Sequence, residues 1–402
     1  MDDRDADGIA DDINARLAAL GHPCCVRVSP NRGLAMYATR DISAGEVVIT
    51  ERPVVCTPCD SARPFACAAC FADSRVERPK RGVEARWPRK CAGCRTLRFC
   101  SEACEASLAS RHRDSLECQV LAAIAREEMD QQRTIVDSVN ASLLGQAIRL
   151  LSDRHAGMRV SVFAHEEPPS SLHLGFDDLV HRLVAVRRSD EWRACIEQAA
   201  DAALRFVPES ARVPRDGLYD ALSRHQANVY AVCSRRGRDV ARACFAGAMH
   251  LFNHSCAPCL AFDSVPIIQG GGGAPDRGGG PAGDDPTPSF SLVSLIDVAA
   301  GGELTISYTG VYDEAAERRA HLAEYYGFVC DCTRCAAGDD GGDDAFDEAR
   351  PRCNLDEDCG TGYAIVVGEA GQRRCVHCGR LCSGTPSQRM QPASSGEKET
   401  QS

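Results

Sequence analysis

The chain has 402 residues, 24 cysteines and a formal net charge of −11. That length accommodates two or three domains with cores of ordinary size, and the acidic balance argues against a basic nucleic-acid-binding surface. No run approaches the roughly eighteen apolar residues of a membrane span, and the acidic opening lacks the apolar stretch of a secretory signal, so metal-bound cysteines in a reducing compartment are expected, not disulfides.

Taken in order, residues 1–22 read as a short acidic lead with a helical turn around Ile13–Leu20. From 25 to 56 the pattern alternates as in strands, broken by turns at Ser29-Pro30-Asn31-Arg32-Gly33 and Ser43-Ala44-Gly45. Between Cys67 and Cys118 the spacing is C-x2-C-x20-C-x2-C-x5-C-x3-C-x7-H-x5-C, eight ligands and enough for two tetrahedral zinc ions. A zinc-bound thiolate lies about 2.3 Å from the metal, so ligands come in pairs closed by short loops, a spacing that scattered core cysteines lack. Arg78, Lys80, Arg81, Arg86, Arg89 and Lys90 in the long spacer read as a solvated loop.

Residues 119–225 read as helical, with core-facing stripes at Leu143, Ala147, Ile148 and Leu151 and at Trp192, Ile196, Ala199, Ala203 and Val207. The Gly/Pro-rich run 270–288 cannot bury apolar surface and reads as a disordered, swollen hairpin tip between the strand-like segments Cys259–Ile268 and Ser289–Val298. Then come a tight Cys330-Asp331-Cys332-Thr333-Arg334-Cys335 cluster and an acidic linker, Gly338–Glu348. Cys353-x5-Cys359-x15-Cys375-x2-Cys378 has the form of a small zinc ribbon over 350–382, ahead of a polar, disordered tail at 383–402.

Four motifs in fixed order carry a resemblance: Asn31-Arg32-Gly33-Leu34, Asn253-His254-Ser255-Cys256, Glu303-Leu304-Thr305-Ile306-Ser307-Tyr308, and Tyr326-Gly327-Phe328 before the cysteine cluster. They resemble SET-domain lysine methyltransferases, and the inserted cysteine block resembles the MYND finger of SET–MYND (SMYD-type) proteins, over about residues 25–335. The resemblance implies a zinc-rich α+β fold: a SET domain of small sheets (23–310) split by the MYND finger (67–118) and a helical insert (119–225), then a post-SET segment (311–336). It further implies one structural zinc held by Cys67, Cys70, Cys100 and Cys104 and another by Cys91, Cys94, His112 and Cys118. A third would be held by Cys330, Cys332, Cys335 and Cys256. The His112–Cys118 interval of five residues is longer than the family's usual three. Cys56 and Cys59 have ligand spacing too, but the family places a strand end there, so they are taken as free thiols.

The implied reaction moves the methyl group of S-adenosylmethionine to the lysine amine of a protein substrate, histone or otherwise. By resemblance Tyr308 and Tyr326 line the transfer site. Asn31, Arg32, Gly33, Asn228, Asn253, His254, Tyr308 and Phe328 would bind the cofactor. Cys259 stands where the family usually has Asn, which is expected to perturb the local turn. Substrate specificity is assigned to a groove between the helical insert and the post-SET segment. A second reading is an inactive adaptor that binds a protein partner through its MYND finger. A third, a zinc-rich nucleic-acid-binding regulator, is opposed by the acidic balance. The nucleus or cytoplasm is the expected location.

Overall fold

The computed structural model describes residues 3–29, 33–59, 61–78, 86–131, 140–156, 190–234, 238–245, 247–267, 288–337, 346, 353, 363–367, 372–376 and 381–382. The elements run α1 (Asp3–Ala19), β1 (Cys24–Ser29), β2 (Gly33–Ala38), β3 (Val47–Glu51), β4 (Val55–Pro58), α2 (Ser74–Glu77), β5 (Arg89–Lys90), β6 (Arg98–Phe99) and α3 (Glu102–Ser107). Helices follow: α4 (Leu116–Gln131), α5 (Ala141–His155), α6 (Asp190–Phe206) and α7 (Arg215–Ala227). The chain then returns to strands with β7 (Val229–Cys233), β8 (Asp239–Cys244), β9 (Asn253–His254), β10 (Leu260–Ile267), β11 (Ser289–Ser294) and β12 (Thr305–Ile306). It ends with α8 (Ala315–Tyr326), α9 (Thr333–Ala336), β13 (Ala364–Val367), β14 (Gln372–Cys375) and β15 (Leu381–Cys382).

The strands make several small sheets. β10, β11 and β3 form one, with β11 buried along its whole length, and β4, β8 and β7 form another. β10 and β11 pair antiparallel, Leu260 opposite Ser294 and Ile267 opposite Ser289, so the expected hairpin forms. Its tip, 268–287, lies outside the described residues, as do most of the expected linker and tail. β9 and β12 pair in parallel, Asn253 with Thr305 and His254 with Ile306. That two-residue ladder sets the Asn-His-Ser-Cys motif beside β12, two residues ahead of Tyr308.

One expectation needs correction. The N-terminal lead is not a turn but a helix docked on β1. Ala10, Ile13 and Leu17 share one face and are buried, and the Asn14 amide donates to the Val26 carbonyl (3.0 Å) while its oxygen accepts the Val26 N–H (2.6 Å). Complete burial of Ile13 and Leu17 is worth about 1.5–3 kcal/mol each, enough to hold a helix that is marginal alone.

The cysteine-rich segment and the helical insert share one core, in which Cys67, Cys91, Cys94 and Phe99 group with Leu143, Ile148, Ala199 and Leu222. The predicted stripes of α5 and α6 lie in that core, α5 packing against α4, α6 and β4. Asn140 caps α5 by accepting the Leu143 N–H (3.1 Å).

Candidate functional site

Among the described residues three groups of four ligands converge, each with its ligand atoms within 4.8 Å of one another: Cys67/Cys70/Cys100/Cys104, Cys91/Cys94/His112/Cys118 and Cys256/Cys330/Cys332/Cys335. The edge of a tetrahedron with 2.3 Å bonds is about 3.8 Å. Cys70–Cys100 at 3.6 Å, Cys91–Cys118 at 3.7 Å and Cys256–Cys335 at 3.5 Å fit that edge, so the donor sets suit zinc.

Local structure explains the convergence. Ser101 caps α3 by accepting the Cys104 N–H (3.1 Å), which turns Cys104 toward Cys100, 3.4 Å away. At the Cys91–Cys94 knuckle a Cβ on Gly93 would come within 2.7 Å of Cys118 Sγ, so only glycine leaves room for the fourth ligand. His112 turns Nε2 to Cys94 (3.4 Å), while Nδ1 meets Glu117 Oε2 at 2.6 Å. Arg149 of α5 donates to both oxygens of the same carboxylate, at 2.9 and 2.8 Å. Burial alone would push the Glu117 carboxyl up, but Arg149 and His112 outweigh it and hold it at about 2. Glu117 and Arg149 were not foreseen: on a helix, charged residues read as solvated.

Cys56 and Cys59 are buried and belong to none of the three groups. Of the expected ribbon, Cys353 and Cys375 are buried, while Cys359 and Cys378 lie outside the described residues.

Aromatic side chains pack against the third cluster. The Tyr308 and Tyr326 rings lie 4.8 Å apart, and Phe328 packs on the same cluster, 5.8 Å from the His254 ring. Tyr308 Oη donates to the Phe252 carbonyl (2.7 Å). Tyr230 on β7, absent from the sequence reading, donates to the Met249 carbonyl (2.8 Å) and packs on Phe262 at 4.8 Å. Burial first, then its neighbours Tyr308, Glu51 and Tyr326, raise its phenol well above the ordinary value. A single tyrosine in an alternating strand carries no mark separating it from core.

The remaining assigned residues fall out as follows. Gly33 opens β2 with φ +70°, a left-handed conformation that favours glycine, while Asn31 and Arg32 lie outside the described residues. Asn253 is buried and donates to the Leu34 carbonyl (3.3 Å), next to Gly33. Asn228 Nδ2 is turned back onto the Arg224 carbonyl (2.8 Å), closing α7. The His254 ring bonds Cys256 and the Tyr308 backbone, not open space. Cys259 does not disorder its turn. Its sulfur accepts the Thr305 N–H (3.2 Å) and lies 3.6 Å from the Glu303 carbonyl, so the thiol links this loop to β12.

Small sheets around the Asn253–His254 ladder, with three four-ligand clusters suited to zinc, define an α+β protein. Residues 33–309 match the SET domain family, and the chain belongs to that family. It is 26% identical to Mus musculus histone-lysine N-methyltransferase SMYD3 over 78% of this chain and 61% of that protein. It is 22% identical to Arabidopsis thaliana histone-lysine N-methyltransferase ASHR1 over 78% and 55%. A SET and MYND domain-containing protein of Dictyostelium discoideum matches at 24% over 78% and 60%. The chain thus spans 55–61% of the length of these relatives. A solved structure described as the SET domain of LSMT bound to lysine and AdoHcy aligns at 14% identity over 92% of this chain and 68% of that one, with a TM-score of 0.37, too low to establish a shared fold. Among the described residues, no helix is long and apolar enough to cross a membrane.

Proposed function

We propose that the protein is an S-adenosylmethionine-dependent protein-lysine N-methyltransferase, acting on lysines of histone or other proteins in the nucleus or cytoplasm. The observation that carries this reading is the Tyr308–Tyr326 pair set against Asn253, His254 and the third cluster. The names of the relatives support the reaction class.

A lysine amine attacks only when neutral, although its ordinary pKa is about 10.4. The aromatic side chains of Tyr230, Tyr308, Tyr326 and Phe262 would disfavour the ammonium form by desolvating an amine placed among them. The hydrogen bond that Tyr308 Oη donates to the Phe252 carbonyl fixes the hydroxyl in place, and from there it would orient the incoming amine in line with the methyl group. The cofactor, when bound, supplies a methyl group on a sulfonium. Asn31, Arg32, Gly33, Asn253, the His254 backbone and Phe328 would hold it, with Asn228 offering its Oδ1.

The three clusters would hold structural zinc with no position left for water, so no Lewis-acid step is assigned to them. A fourth ion is assigned to Cys353, Cys359, Cys375 and Cys378. The finger's partner, if one binds, is a protein and not nucleic acid.

The test is incubation of purified protein with tritium-labelled cofactor and a whole-cell lysate, followed by mass spectrometry of labelled bands. Label on lysine supports the reading. Cofactor binding without label on any lysate protein would move the case to the adaptor.

A further inference from the structure

We propose that the His254 side chain is a positioning residue: it bridges the third cysteine cluster to the Tyr308 backbone through an Nε2–H···S hydrogen bond whose direction the fold dictates. Its catalytic consequence rests on the functional reading above, but the bond itself does not.

The direction follows from one obligate donor. The Tyr308 backbone N–H can only donate, and it points at His254 Nδ1 across 3.0 Å. Nδ1 must therefore present a lone pair, and a neutral imidazole with Nδ1 bare carries its proton on Nε2. Nε2 lies 3.3 Å from Cys256 Sγ. Cys256 is fully buried and His254 as a residue is only 5% exposed, so water has little access to either bond. A ring protonated on both nitrogens would set two N–H groups against each other at Tyr308. One tautomer thus satisfies both contacts.

Backbone pairing puts the ring there. His254 sits opposite Ile306 in the β9–β12 ladder, and the Ser255 N–H extends it to the Ile306 carbonyl (2.9 Å). Two residues on, Tyr308 swings its N–H toward the ring, whose centroid is 5.4 Å from the Tyr308 ring and 5.8 Å from that of Phe328. One imidazole thereby touches the cluster, the transfer-site strand and the post-SET aromatic. With both nitrogens bonded within the protein, His254 has only its backbone to offer the cofactor. A hydrogen bond to a ligand sulfur orients that ligand, and losing such partners commonly costs about tenfold or more in metal affinity.

Two replacements separate the two halves of the bridge in the 402-residue chain loaded with zinc. His254→Asn sets an oxygen near the Nδ1 position, keeping the acceptor for Tyr308 and losing the donor to sulfur. His254→Gln reaches the Nε2 position with an N–H, keeping the sulfur bond and losing the Tyr308 acceptor. The readouts are zinc release to a colorimetric chelator, absorption of the cobalt-substituted protein, and the cofactor Kd and kcat. His254→Asn is expected to release one equivalent about tenfold faster, with a shifted thiolate-to-cobalt band. His254→Gln is expected to release zinc as the wild type does, with kcat lowered more than cofactor affinity. Wild-type release kinetics in His254→Asn, or equal acceleration in both variants, would overturn the bridge. If neither variant folds, ¹⁵N spectra of the wild-type ring decide: protonation at Nε2 supports the proposal and protonation at Nδ1 overturns it. A wild type that binds zinc as described but methylates nothing removes the functional reading and leaves the bridge in place.

Discussion

Single side chains decide whether the metal clusters close. Gly93 has no room for a methyl group beside Cys118 Sγ, so Gly93→Ala should push that ligand away, release one zinc equivalent early and lower Tm; unchanged zinc release would show that the knuckle can adjust. Glu117 raises a different question, because it is buried between His112 and Arg149. Glu117→Gln removes one charge of a buried pair and strands the guanidinium, which typically costs about 3–5 kcal/mol. Urea unfolding should show a loss of that size, while Arg205→Ala, which breaks the exposed pair with Glu127, should cost under about 1 kcal/mol. The cysteine ligands were legible in sequence because metal geometry forces short loops. The residues that orient them were not, because a carboxylate on a helix gives no sign of its depth.

Elements depend on partners that periodicity does not name. The stripes on α5 and α6 were readable, yet nothing in a 3.6-residue repeat says that its apolar face will join a core shared with β4 and the cysteine-rich segment. The docked α1 was missed for the same reason, since three apolar residues make a short stripe. The C-terminal strands show a further case. Arg374 on β14 pairs with both oxygens of Asp263 on β10 (one at 3.1 Å), and the Arg334 guanidinium lies 3.9 Å from the centroid of the Phe346 ring. That same Arg334 donates to the carbonyls of Cys256 (2.9 Å) and Val311. The C-terminal segment therefore braces the third cluster from behind. Phe346→Ala should weaken cofactor binding several-fold while sparing zinc at the two finger sites; equal zinc loss at all three would mean general unfolding.

At the scale of the whole molecule, buried titratable groups, Glu51 and the histidines His225 and His250 among them, shape the pH range of stability. Burial pushes the Glu51 carboxyl up to about 8 against the pull of the Met249 and Gly247 N–H groups, and burial lowers the His225 ring to about 3. The folded state thus holds a proton on Glu51 that the unfolded chain sheds above about 4.5, and this contribution is lost as pH rises to about 8. His225 works the other way, its contribution being present above about 6.5 and lost as pH falls toward 3. His250, lowered to about 4 by burial, acts in the same sense as His225, so between about 4.5 and 6.5 two histidines outweigh the one carboxyl. Urea midpoints should therefore rise as pH increases to about 6.5 and decline from there to about 8, with a steeper acid limb if the cysteine clusters also take up protons on losing metal. Glu51→Gln should flatten the alkaline decline, at a cost of about 1–3 kcal/mol from the amide facing a backbone N–H. A slope that persists unchanged would assign it to another group.

The central claim is that Tyr308 stands where the methyl group moves. Its most direct test compares turnover and cofactor Kd for wild type and Tyr308→Phe on a lysine substrate identified by labelling. Loss of a preorganised hydroxyl at the transfer point should lower kcat about a hundredfold, roughly 3 kcal/mol, with cofactor Kd unchanged and Tm reduced only slightly as the Phe252 carbonyl loses its donor. Equal turnover in the two proteins would contradict the account.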